Sequence, residues 1–110
     1  MRRQFLAASF ASLIALPAAA SSGDAWQEFA ADVQAKCLAA SKGAITDAKA
    51  LVDPTGSEHY GLAIVTGKAK GTDTTVSHIC VYDKKTKAAE LGGELSGDTV
   101  KVEMPGSTTP

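Results

Sequence analysis

The apolar positions of this chain change rhythm near residue 44. Before it, Trp26, Phe29, Ala30, Val33, Cys37 and Ala40 recur at three- and four-residue steps, with Glu28, Asp32 and Lys36 between them. That spacing predicts an amphipathic helix with one core-facing stripe, on which Trp26 and Phe29 are packing anchors. Asp24 followed three residues later by Gln27 has the form of a capping box that opens the helix, and Gly43 marks its stop. After residue 44 the apolar runs become short and are punctuated by Gly, Pro, Asp and Thr, the pattern of antiparallel strands. The predicted strands are 46–52, 59–66, 74–82, 87–91 and 99–104, with 67–73 as a flexible connection and 83–86 as a tight hairpin turn. The fold class is therefore α+β: one N-terminal helix packed on a four- to five-stranded antiparallel meander sheet.

The strands also predict which faces need cover. In 74–82, Val76, Cys80 and Tyr82 share one face and Ile79 and Val81 the other, because successive side chains point to opposite sides. The strand before it is apolar on both faces, with Leu62 and Ile64 on one and Ala63 and Val65 on the other. One helix covers one face. The second face requires either a sheet that curls into a partial barrel or a protein partner, of which a homodimer through Ile79 and Val81 is the simplest.

The first twenty residues change the setting. Arg2 and Arg3 precede an apolar run from Phe5 to Leu16, and Pro17-Ala18-Ala19-Ala20 closes it with small residues, which reads as an export signal. The expected organisation is a signal peptide at 1–20, a single domain at 21–104 and a flexible tail at 105–110. A run of about a dozen apolar residues is too short to span a bilayer, and no longer one follows. Cys37 lies well beyond the expected cleavage point, so no lipid anchor is expected, and the periplasm is the expected compartment. The arginine pair fits both the general and the twin-arginine export routes.

Without Arg2 and Arg3 the chain keeps nine lysines and no arginine against 12 acidic residues. That balance does not suit nucleic acid or an anionic membrane surface, and neither is expected as a partner. A domain of about 90 residues builds a small core, so in an oxidising compartment Cys37 and Cys80, the only cysteines, are expected to be bonded to each other. Closing that loop is worth about 4 kcal/mol on the chain-entropy model.

Candidate chemistry is sparse. Ser57, Glu58 and His59 are a nucleophile, an acid and a base in consecutive positions, where extended side chains diverge rather than converge as a triad must. His59 and His78 fall short of the three or four ligands zinc requires. No catalytic residue, metal or cofactor is expected, and Lys84, Lys85 and Lys87 read as the solvated end of a hairpin. What remains is shape: a loop framed by Pro54 and Gly56, and a second framed by Gly67 and Gly71 and tipped with Lys68 and Lys70. A stiff loop on a disulfide-bonded scaffold loses little entropy on binding, as small inhibitors require.

The stretch Gly56-Ser57-Glu58-His59-Tyr60, followed by Gly67-Lys68-Ala69-Lys70-Gly71, resembles the bacterial inhibitors of c-type lysozyme, periplasmic and membrane-bound. The resemblance covers about 16 residues. It implies that Ser57 and Tyr60 belong to a loop entering the lysozyme cleft and that Lys68 or Lys70 supplies a cation to the catalytic carboxylates. The expected function is protein binding, in its most concrete form lysozyme inhibition; the alternatives are an assembly protein of the cell envelope and a small-molecule binding module.

Overall fold

The computed structural model describes residues 23–105, so the leader assigned to 1–20 and all of the tail after Pro105 lie outside the described residues. Helix α1 (Gly23–Ala40) is followed by strands β1 (Ile45–Val52), β2 (Tyr60–Ala69), β3 (Thr75–Asp83) and β4 (Ala89–Ser96). The strands form one antiparallel sheet in the order β1-β2-β3-β4, an open meander with one helix across one face. The α+β architecture expected from the apolar rhythm is the one observed. The sheet does not close into a barrel: β1 and β4 are its two edges among the described residues.

Helix and sheet are held by a small core and a covalent bridge. Val33 and Cys37 of α1, Ala63 and Val65 of β2, and Val76, Cys80 and Tyr82 of β3 are buried together with Ile45 and Ala50 of β1. Cys37 and Cys80 are bonded, with their Cα atoms 5.9 Å apart and a sequence separation of 43. The register places Ala63 beside Cys80 and Gly61 beside Tyr82, so these positions share the covered face. Gly61 is what lets the helix come down. A Cβ there would stand 2.7 Å from Val33 Cγ2 and 3.0 Å from the Tyr82 ring.

The structure moves several expected boundaries. Asp24 lies within the first turn of α1 rather than before it, where its charge suits the helix dipole. At the other end Ala40 faces solvent, and the buried place belongs to Ser41, whose hydroxyl bonds to the Leu38 carbonyl at 2.8 Å. Phe29 packs edge-on against Tyr82, whereas Trp26 rests on Phe29 and remains 41% exposed, so it is only in part an anchor.

Strand β2 runs on through Gly67, Lys68 and Ala69, where the sequence predicts a flexible connection. Its partner β1 carries a bulge between Thr46 and Lys49, with Asp47 at a φ of 55°, and Gly67 packs under it. A Cβ on Gly67 would stand 2.7 Å from the Thr46 carbonyl. The fifth strand expected at 99–104 is absent. Its alternation survives as burial, with Val100, Val102 and Met104 half-buried and Lys101 and Glu103 exposed, but the segment joins no ladder. Met104 and Pro105 instead sit by Gln27, Ala30, Ala31 and Gln34 of α1 and residues 50–52 of β1.

Candidate functional site

The β1–β2 connection is a short loop stiffened from within and from outside. Asp53 Oδ1 accepts hydrogen bonds from the backbone N–H groups of Thr55 (3.1 Å) and Gly56 (2.9 Å). Those two N–H groups hold its carboxyl below the usual carboxylate range. Gly56 takes a φ of 69°, where a side chain is strained. Ser57 N–H donates to the Tyr60 carbonyl at 2.8 Å, and Tyr60 N–H donates to Ser57 Oγ at 3.3 Å.

Lys84 pins this loop from across the sheet. Its ammonium donates to the carbonyls of Thr55 (2.9 Å) and Ser57 (2.7 Å), and its backbone N–H donates to the His59 carbonyl. The same ammonium lies 5.5 Å from the centroid of Trp26 and 5.0 Å from that of Phe29, within cation–π range. Lys84 reads in the sequence as a solvated hairpin residue; the structure makes it the link between loop, helix and hairpin. A charge 29 residues away in sequence carries no local signal of that role. The hairpin is itself fixed by Asp83, whose carboxylate accepts from Thr86 and Lys85 N–H and is held low by them.

Among the described residues three large apolar side chains stand exposed; two of them, Trp26 and Tyr60, are at this end of the molecule, and the third is Ile79. Around them Glu58 and Asp83 stand with Lys84 and Lys85, and Glu28 and Asp32 with Lys36 and Lys87, so opposite charges are even at this end.

The expected site residues do not all gather here. Ser57 and Tyr60 do, with the Ser57 hydroxyl turned to the Tyr60 backbone. Lys68 lies at the far end of β2, eight residues from Tyr60, or about 26 Å along an extended strand. Its ammonium stands 3.9 Å from Asp73, and Lys70 lies in the turn beyond, its N–H bonded to the Ala44 carbonyl. Glu58 and His59 are exposed and 3.9 Å apart. His78 is in the core, its Nδ1 2.8 Å from the Gly92 carbonyl and its Nε2 buried without a partner. Among the described residues no group of three or more His, Cys, Asp or Glu side chains is placed to hold a metal ion.

A second polar cluster joins the helix to β3 and the hairpin. The Tyr82 hydroxyl donates to Asp32 Oδ2, and Lys36 bonds both Asp32 (3.4 Å) and the Lys87 carbonyl (3.2 Å). Burial first, and then the carboxylate beside it, push the Tyr82 phenol up to about 12, while its hydroxyl, with help from Lys36, holds Asp32 low. Asp32 and Lys36 sit on what periodicity assigns to the solvent side of α1, so this link too is tertiary.

Ile79 and Val81 lie on the face opposite the helix, together with Leu51, Leu62 and Ile64. Ile79 is 50% exposed, and it lines a shallow apolar depression with Leu51, Leu62, Ile64, Asp53 and Pro54. No helix of the described residues is long and apolar enough to cross a membrane.

The site and its frame define a small, disulfide-bonded α+β domain with one pinned loop. Compared with protein-family models, curated proteins and solved structures, the chain matches none.

Proposed function

We propose that this chain is an exported, non-catalytic protein-binding domain whose contact surface is the end bearing the 53–60 loop, and that its partner is a c-type lysozyme, which it inhibits. The observation that carries this reading is the Lys84 clamp, which holds the loop in one shape between two exposed aromatic rings. A loop fixed before binding loses little entropy on docking, and Trp and Tyr are the residues most enriched among binding hot spots. The charge of the chain beyond the leader, 12 carboxylates against nine lysines, suits a basic partner such as lysozyme. Tyr60, Trp26 and the loop backbone form the contact, and Lys84 keeps them in register. Lys68 and Lys70, too distant to share that contact, take no part in it.

The test is lysis of cell walls by c-type lysozyme with the protein added. Lysis should fall, and Trp26→Ala and Tyr60→Ala should each relieve inhibition about tenfold or more. Lys84→Met should weaken it by loosening the loop, whereas Lys68→Ala should leave it unchanged. Undiminished lysis at micromolar protein would remove lysozyme as the partner.

A further inference from the structure

The face of the sheet opposite the helix carries an ordered pattern rather than a featureless apolar patch. Leu51, Ile64 and Ile79 lie at one level across β1, β2 and β3, because Leu51 pairs with Ile64 and Ile64 with Ile79. Two residues toward the loop end come Leu62, Val81 and Glu90, with Asp53 bonded to the Leu62 carbonyl at the same level. Two residues the other way come Lys49, Thr66, Ser77 and Leu95. The apolar row is thus flanked by acid on one side and by lysine on the other. On β1 the two charges stand at equal distances from the row.

We propose that this face docks a second copy of this chain, sheet against sheet, about a two-fold axis that runs along the Leu51–Ile64–Ile79 row, across the strands. That rotation reverses strand direction while keeping β1 over β1. It lays each of the three aliphatic side chains against its own counterpart. It also carries Lys49 of one copy over Asp53 of the other, twice, once on each side of the axis. The usual angle of about 30° between aligned sheets shifts these two positions by only about 4 Å, within the reach of a lysine stem. Lys49 is exposed, and Asp53 Oδ2 is left free by the two N–H groups that bond Oδ1.

The size is modest. Four strands at about 4.8 Å and eight residues at about 3.3 Å bound the face at roughly 19 by 26 Å, or about 500 Å² per copy, to which Ser77, already buried within one copy, adds nothing. Two copies bury at most about 1,000 Å², below the standard size of a specific interface, so the dimer is a weak one. The self-complementary order of charge and apolar row favours a second copy over an unrelated partner, because one point-group operation satisfies every position.

Sedimentation of the full chain from low-micromolar to millimolar concentration should show a monomer–dimer equilibrium. Ile79→Glu, at a half-exposed position the fold tolerates, should raise the dissociation constant about tenfold or more, and Lys49→Glu should weaken dimerisation by facing Asp53. Because both native cysteines are bonded to each other, a new thiol is the only free one. Ile64→Cys sits on the axis and should give a disulfide-linked dimer under mild oxidation, while Glu90→Cys, offset along the strand from its counterpart, should not. A chain that stays monomeric at millimolar concentration overturns the proposal. So does a dimer indifferent to Ile79→Glu, or one cross-linked through Glu90→Cys and not through Ile64→Cys.

Discussion

Replacing both bridge cysteines tests how this domain is held together. The double variant Cys37→Ala/Cys80→Ala removes a cross-link whose ends are 43 residues apart in sequence. Freed of it, the unfolded chain gains loop entropy worth about 4 kcal/mol at room temperature. The lost sulfur packing adds a smaller amount, since both residues are fully buried between α1 and β3. Set against this, a domain of some 80 residues has a total stability of about 4 to 12 kcal/mol. The core is built from small side chains, Val33, Val65 and Val76 being the largest aliphatic ones fully buried, so little else offsets the loss. Urea unfolding followed by Trp26 fluorescence, with circular dichroism as a second probe, should show a drop of about 3 to 5 kcal/mol or a chain that no longer folds at 37 °C. A double variant within about 1 kcal/mol of the oxidised protein would refute the argument that the bridge, rather than the small core, sets the stability.

Two further outcomes follow from contacts that periodicity does not reveal. Tyr82→Phe should cost about 1 kcal/mol, at the low end for a bond to a charged partner because the Asp32 side chain is 37% exposed. The phenol is raised in the folded state from 10.0 to about 12, so its contribution is fully present below pH 10 and is lost as pH rises toward 12; the Phe variant should lack that alkaline decline in denaturation curves. Gly67→Ala should destabilise by about 2 kcal/mol or more, read as a lowered thermal midpoint, because its Cβ would meet the Thr46 backbone and the bulge cannot yield without breaking the β1–β2 register.

Much of the fold was legible in the sequence because burial imposes periods. The three- and four-step stripe of α1, the alternation in β3 and the two-sided apolar character of β2 each state a face directly, and the bridge from Cys37 to Cys80 then fixes which face the helix covers. Gly67 to Ala69 misled because glycine and lysine are turn-like by composition, while here a bulge in the neighbouring strand demands a residue without a side chain. Residues 99–104 alternate as a strand does, yet alternation reports only that one side is covered, not that a hydrogen-bonded neighbour exists. At the candidate site, Ser57 and Tyr60 were findable as parts of a turn. Lys84 was not, because its partners at Thr55, Ser57, Trp26 and Phe29 are distant in sequence and a lysine's local surroundings say nothing of them.

The bridge also decides how the domain answers a pull. Tension applied at the two chain ends travels down α1 to Cys37, crosses to Cys80 in β3 and leaves through β4, bypassing β1 and β2 altogether. Stretching the oxidised protein releases only the outer segments, and about 150 Å of contour stays locked between the sulfurs until a reductant cuts them.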